Sequence, residues 1–307
     1  FKTLSEIEPR TAVDLMNTPG DADSVFRITQ PGSYYLTGDM QGVGSKSGIE
    51  IAAGHVTIDL MGYTLRGAPG SHSGIRVVGT NISTISVKNG IVTAWGREGV
   101  DLGSATEDGG SLIDGIIAVA NLRVGIQAPD HSIIRNSRAS ENTQAGFILG
   151  SRSLVQGCVS HSNGSIGISV GFGSIVRDCT VTRNVGDGVN TGAFCQVVEC
   201  SAIENEADGI DVASGCTVSR NLCESNGLFS ADGAGVHVTG GDCRIEDNAV
   251  NRNDRGIDVD VAGNFVVRNS ASGNTTNFDV TGTQTIGPIV TATGTIAGAS
   301  PWANFSF

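Results

Sequence analysis

Residues 163–183, NGSIGISVGFGSIVRDCTVTR, and residues 184–204, NVGDGVNTGAFCQVVECSAIE, are consecutive copies of one repeating unit. Each copy opens on Asn and carries a Gly-apolar pair four residues later. Apolar residues then alternate in short runs, as in Ile168 and Val170, Ile175 or Val176, and Cys179 and Val181. A period of two within runs this short predicts strands rather than helices. Three short strands per unit, separated by Gly, Ser, Asn and Asp, predict a triangular coil. Equivalent strands of successive coils then pair in parallel.

The stride extends in both directions. Gly-apolar pairs begin at Gly48, Gly74, Gly99, Gly125, Gly146, Gly167, Gly188, Gly209, Gly235 and Gly256. Asn277-Phe278 continues the series with Asn in place of Gly. The shorter step, as from Gly167 to Gly188, is the basic unit. The longer step, as from Gly209 to Gly235, adds a loop of five extra residues, the clearest being 228–233. The pattern predicts an all-β, single-stranded right-handed parallel β-helix of about ten to eleven coils, and stacked coils share one continuous core. The expected organisation is a single domain over 1–307, with an N-terminal cap over 1–47, coils over 48–280 and a C-terminal cap over 281–307. In the first cap, Ser24 to Met40 reads as two strands around Gln30-Pro31-Gly32. In the second, Trp302 and two Phe read as a plug.

The repeat assigns structural duties to many polar residues. Asn142, Asn163, Asn184, Asn205 and Asn226 recur once per unit, and stacked amides can bond to one another along a coil axis. The repeat glycines are expected at positive φ. Cys158, Cys179 and Cys200 share one column of the repeat, and Cys195 and Cys216 another. Their side chains should point the same way, which suits buried thiols better than disulfides. No tetrahedral zinc spacing is present.

Composition excludes several partners. The formal charge is −12 with only three lysines, which argues against nucleic acid, whose affinity comes largely from phosphate neutralisation. The sequence offers no apolar run long enough for a membrane span. No leader is visible in the sequence as given, and a secreted or cell-surface location is expected.

The chain resembles the pectin lyase-like superfamily, in its branch of bacterial right-handed β-helix repeat proteins. The stretches that carry the likeness are FRITQPGSYYLTG (26–38), VTIDLMGYTLRG (56–67), VKNGIVTAWG (87–96), the repeating units and the closing PWANF (301–305). The resemblance implies the fold and a carbohydrate-active role such as polysaccharide lyase or glycoside hydrolase. It does not supply a catalytic set. The polygalacturonase-type N-T-D, D-D and G-H-G motifs are absent, since Asn190-Thr191-Gly192 lacks the aspartate. The epimerase-type Y-x-x-D-x-H run is absent too.

Laid out on the stride, the residue two after each Gly faces outward. That column reads Glu50, Arg76, Asp101, Gln127, Ile148, Ser169, Asn190, Asp211, His237, Asp258 and Asp279. His237 is thereby expected between Asp211 and Asp258, about 4.8 Å from each rung. Asp187, Asp208 and Arg255 directly precede their glycines at the edge of this face, Asp260 follows Asp258 on the outward side, and Asp232 comes in on the inserted loop. His237, Asp211, Asp258 and Arg255 are the candidate catalytic residues. Asp232, Asp208, Asn190 and Asp260 are candidate substrate contacts. His237 could act as a base beside a uronate, with Arg255 neutralising the substrate; this is the lyase reading, on a polymer such as alginate or pectate. Asp211 and Asp258 could instead be the carboxyl pair of an inverting hydrolase. Paired aspartates could also hold Ca²⁺. The third reading is a non-catalytic glycan-binding or surface protein whose acidic face is simply solvated. A second patch, Arg76, Lys88, Trp95, Arg97 and Arg123, gives the early units an excess of positive charge. It could bind an anionic glycan with Trp95 as platform, or Trp95 could be structural.

Overall fold

The computed structural model describes residues 10–79, 82–103, 110–227, 233–291 and 300–307. It contains strands and turns and, among these residues, no helix. The chain forms two compact units, 1–150 and 151–307. Each is a stretch of parallel β-helix, with the right hand expected of parallel crossovers.

In each unit one sheet carries the outward column. In the first unit its strands are Ser24–Ile28, Ser47–Ile51, Ile75–Val77, Val100–Asp101, Ile126–Ala128 and Phe147–Leu149. In the second they are Ile168–Val170, Val189–Thr191, Ile210–Val212, Ala234–Val238, Arg255–Val259 and Thr276–Val280. Within each unit each strand pairs in parallel with the next at the register of the repeat, as Val189 with Ile210, Ile210 with Val236, and Val236 with Ile257 do in the second. A coil is completed by two further strands, such as Ile175–Arg177 and Thr180–Thr182 after Ile168–Val170. In the short strands Ile168–Val170, Val189–Thr191 and Ile210–Val212 the outer two residues are buried and the middle one is partly open. The interior is narrow and filled by Val, Ile and Ala, as expected of a chain with 5% aromatics.

The asparagine column forms an internal rail. Within the second unit, Asn163, Asn184, Asn205, Asn226, Asn253 and Asn274 follow one another, with Nδ2 to Oδ1 distances of 2.9–3.0 Å. Each Oδ1 also accepts the backbone N–H of the preceding Asn, as Asn205 does from Asn184 at 3.1 Å. The second N–H of the carboxamide reaches a backbone carbonyl of the coil before, as Asn205 does to Val181. The polar atoms of the Asn205 amide are therefore all used, which is what burial of an amide requires.

The repeat glycines do not have positive φ. That conformation falls instead to corner residues such as Asp178, Glu199, Arg220, Asp247 and Arg268. The glycine is required for space. A β-carbon on Gly188 would lie 2.5 Å from the Gly209 carbonyl oxygen and 2.8 Å from Nδ2 of Asn205. Gly209, Gly235 and Gly256 meet the same obstruction from Asn226, Asn253 and Asn274. Glycine and asparagine columns are thus one device. At its far end Asn277 replaces glycine, and its Oδ1 takes both the Nδ2 (2.8 Å) and the backbone N–H (3.3 Å) of Asn274. In the first unit the rail begins at Trp95, which is fully buried. Its backbone N–H bonds Asn121 Oδ1, and its indole fills the space beside Gly48 and Gly74. Trp95 is accordingly a structural side chain and not a sugar platform.

All seven cysteines are free and buried. They do more than fill volume. Backbone N–H groups of Ser174, Cys195 and Cys216 point at the sulfurs of Cys195, Cys216 and Cys243 at 3.3–3.4 Å. The same column passes to Asn264, which accepts from Cys243 at 2.8 Å. Thiol and amide thus serve as alternative acceptors at one corner of the coil.

Ser24 to Met40 forms the two expected strands, Ser24–Ile28 and Gly32–Tyr35, on either side of the Gln30-Pro31-Gly32 turn, and they pair in parallel with Ser47–Ile51 and Val56–Asp59 as part of a coil. At the other end Trp302 is half exposed, against Phe265 and under Arg268. Ala303 and Asn304 are the buried residues there, and Asn304 ends a second amide rail through Asn269.

Replacing Asn184 with Ala removes the acceptor of two buried N–H groups. Stability in urea should fall by about 2–3 kcal/mol. Gly188→Ala should destabilise through the opposite fault, a collision. An unchanged unfolding midpoint in both variants would contradict the rail.

Candidate active site

The outward column of the second unit gathers charge because parallel, in-register pairing leaves no choice. Asn190 lies opposite Asp211, Asp211 opposite His237, His237 opposite Asp258, and Asp258 opposite Asp279. At one rung per residue the side chains stand about 4.8 Å apart. Like charges at that spacing repel unless a cation intervenes.

His237 is the intervening cation. Its Nδ1 lies 3.0 Å from Oδ2 of Asp208, and its Nε2 lies 3.1 Å from Oδ2 of Asp260. Both ring nitrogens face carboxylates, so both donate and the ring is an imidazolium. The bond to Asp208 foremost, with further help from Asp260 and Asp211, pushes the His237 pKa up to about 10 against the opposing effect of burial. The imidazole therefore has no free lone pair near neutrality, and the expected role of His237 as a base is not available in this arrangement. Asp208 is itself anchored, its Oδ1 accepting the Ala234 backbone N–H at 2.6 Å.

Arg255 is the second cation. It reaches Asp258 at 2.7 Å and Asp279 at 3.3 Å. Asp258 is 3% exposed; burial raises its pKa even though Arg255 pulls the other way. A carboxylate this enclosed and clamped cannot reach a substrate, so Asp258 is a supporting residue here and not the exposed partner of Asp211. Asp260 is the open carboxylate on that side, with 53% of its side chain exposed.

Asp211 occupies the other side of the imidazolium. Its Oδ2 accepts Nδ2 of Asn190 at 2.7 Å. Its Oδ1 is buried and has no hydrogen-bond partner among the described residues. Burial first, then the charge of Asp187, raises its pKa to about 6 against the pull of His237. Asp187, next to Asp208 on the N-terminal edge of the sheet, is raised by burial and by Asp208. Asp232 lies outside the described residues. The structure thus brings together Asn190, Asp208, Asp211, His237, Arg255, Asp258 and Asp260, and joins Asp187 and Asp279 to them. Six aspartates share two cations.

Two groups of three place potential ligand atoms within 4.8 Å of one another: Asp208, Asp211 and His237, and His237, Asp258 and Asp260. Hard cations such as Ca²⁺ take six to eight oxygens. Both groups depend on His237, whose two nitrogens carry protons, so the residues fit such an ion poorly while the imidazolium stands.

The first unit treats the same column differently. Glu50 is buried between Arg27 at 3.4 Å and Arg76 at 3.9 Å. Arg123 pairs with Glu98, and Lys88 with Asp59 on another sheet. With Trp95 buried, the expected positive patch does not form.

The ring resonances of His237 should titrate near pH 10, and Asp208→Asn should move the midpoint down toward 6.5. Because the folded pKa is raised, the stability His237 contributes is complete below about pH 6.5 and lost as the pH rises through about 10. A wild-type midpoint near 6.5 would refute the double clasp.

Comparison with known proteins agrees with the fold. The chain is similar in structure to the A-module of the mannuronan C-5 epimerase AlgE4 of Azotobacter vinelandii, with a TM-score of 0.68 at 16% identity over 90% of this chain and 87% of that one. A double mutant of the periplasmic alginate epimerase AlgG gives 0.53 at 16% identity, over 84% and 67%. The Dettilon tailspike protein gives 0.51 at 14%, over 92% and 60%. At these identities the likeness is one of fold. No curated protein matches the sequence. The family described as "Right handed beta helix region" matches residues 47–202, half of the chain. The chain therefore belongs to the right-handed β-helix family.

Proposed function

We propose that this protein processes a polysaccharide, and that it does so as a glycoside hydrolase on a neutral or weakly charged glycan. The observation that carries the reading is the partly open Asp211 carboxyl in the outward column, with a pKa of about 6. Such a group holds a proton in mildly acidic solution and can give it to a leaving oxygen, the task of the general acid in glycoside hydrolysis. Across the imidazolium, Asp260 is exposed and held by His237. It is suited to activate a water, as the second carboxylate of an inverting enzyme does. His237 positions both sides through Asp208 and Asp260.

The charge balance favours this chemistry over elimination. Glycosidic cleavage builds positive charge at the sugar ring, and a surplus of fixed carboxylates stabilises it. Removal of a proton beside a uronate builds negative charge instead, and the same surplus opposes it. The two alginate epimerases among the similar structures favour a second reading, action on a polyuronate by β-elimination. That reading needs a base other than protonated His237 and an arginine other than Arg255, which is committed to Asp258 and Asp279. Either activity belongs outside the cytoplasm, where such polymers are met, and no helix of the described residues is long and apolar enough to cross a membrane.

A panel of neutral glycans, alginate and pectate separates the readings. Hydrolysis releases reducing ends without ultraviolet absorbance, whereas elimination creates absorbing unsaturated ends. Asp211→Asn should lower kcat by about a thousandfold. Wild-type activity should fall as the pH rises through about 6, because the acid must be protonated. Glycan binding with no product of either kind would reject the enzymatic reading.

A further inference from the structure

The chain has few aromatic residues, and two of them stand in solvent side by side. Phe172 is 45% exposed and Phe194 61% exposed. Their rings meet edge to face, with centroids 5.3 Å apart and planes at 61°. The guanidinium of Arg152 lies 5.8 Å from the centroid of the Phe172 ring. The backbone beneath is fixed by coil-to-coil bonds, with Phe194 N–H to Ser214 at 2.8 Å and Arg152 N–H to Phe172 at 2.7 Å.

Phe194 is an expensive residue at its position. Its φ is 59°, in the left-handed region. Positions 152, 173, 194, 215 and 242 are equivalent in successive coils and all have positive φ, with Arg152 at 55° and Asp242 at 63° beyond the two glycines at 67° and 70°. Bulky side chains are rarely found at such φ. The ring also requires its neighbour to be glycine, since a β-carbon on Gly215 would lie 2.6 Å from it. An exposed aromatic with a space kept clear for it is unexplained by packing.

The rings flank the outward column. They sit in the turns that follow strands Ile168–Val170 and Val189–Thr191, whose outward residues are Ser169 and Asn190. Asn190 is the residue that bonds Asp211. The two rings therefore border the same face, on the coils immediately before Asp211. A polymer lying along the outward column with its reacting bond at Asp211 would extend over Ser169 and Asn190 and past both rings.

We infer that Phe172 and Phe194 form a sugar-stacking shelf, a substrate-binding subsite for pyranose rings on the lower-numbered side of the cleavage point. This rests on the hydrolase reading for its orientation. An exposed aromatic ring packs against the C–H face of a sugar while the hydroxyls stay in water, a use of aromatics that are apolar in body and open to solvent. The shelf carries no carboxylate of its own and is bordered by Arg152, so it takes the neutral faces of a glycan whose reacting ring is held by the aspartates.

The test is titration of full-length protein with neutral oligoglucans of differing linkage, each a hexasaccharide, by calorimetry. The proteins are wild type, Asp211→Asn, Phe172→Ala, Phe194→Ala and Phe172→Ala/Phe194→Ala. Both phenylalanines are exposed, and thermal unfolding checks that the variants remain folded. The double variant should bind about tenfold more weakly, whereas Asp211→Asn should keep its affinity. In turnover the loss should fall on KM. Asp211-dependent hydrolysis with affinity and KM unaltered in the double variant would overturn the shelf and leave the hydrolase reading intact. Phenylalanine-dependent binding without hydrolysis would sustain the shelf and remove that reading. A wild-type dimer that the double variant abolishes, with no glycan bound, would overturn the shelf in favour of a contact between copies.

Discussion

The constraint on which this structure depends is that every coil must repeat the hydrogen bonds of the one before it within about 4.8 Å. At a strand this is automatic, because parallel ladders satisfy themselves. At a corner it is not, since the backbone turns and leaves N–H groups pointing along the axis into a dry interior. The asparagine rail answers this with one side chain per coil. Such a carboxamide can accept twice and donate twice, as Asn205 does with Asn184, Asn226 and Val181. The glycine column follows from the rail, because the carboxamide of one coil occupies the volume of a β-carbon in the coil before. Asn277 marks where the rail ends: with no amide beyond it, a β-carbon is tolerated and the side chain turns back to close the line.

Much of this was legible in the sequence, and the reason is periodicity. A regular stride converts a distant pair into a neighbouring pair with no knowledge of tertiary packing, so the opposition of Asp211, His237 and Asp258 follows from counting. The role of the glycines was not legible. Their positive φ is a reasonable expectation from composition, but the obstruction by Asn Nδ2 exists only in three dimensions. Trp95 was misleading for a related reason. It stands at the Asn position of one of the longer units, and nothing in its neighbours Ala94 and Gly96 shows that an indole replaces an amide at the start of the rail. The aromatic pair left a faint trace, Phe172 between two glycines, which periodicity could not rank because neither neighbouring unit repeats it.

In the site, register says which residues are neighbours but not which of them share protons. Asp208 lies outside the outward column, at the sheet edge, yet it and not Asp211 or Asp258 holds Nδ1 of His237. That choice is made by side-chain reach and by the Ala234 N–H that fixes Asp208 in place. Its consequence is chemical. Clasped at both nitrogens, His237 is held as a cation, while the neighbouring Asp211 carboxyl is raised to about 6.

The two halves of the outward column balance their charge differently. Both halves face the same geometric problem of like charges stacked in register. The first unit solves it locally: Arg27 and Arg76 flank Glu50, and Asp101 follows Arg76 on the next strand. A solenoid selected only for stability would repeat that alternation, as the corner pairs Arg183–Glu204 and Arg220–Glu199 of the second unit do. Instead, among the described residues, the second unit places six aspartates around two cations and leaves one carboxyl oxygen of Asp211 buried without a partner. An unsatisfied buried acceptor costs about 1–3 kcal/mol, and a single Asn or Thr substitution would remove much of the repulsion. The first unit is not free of such strain, since burial and the charge of Glu98 raise the Asp101 carboxyl and Ser47 Oγ is also buried without a partner among the described residues; the second unit differs in how many carboxylates it gathers.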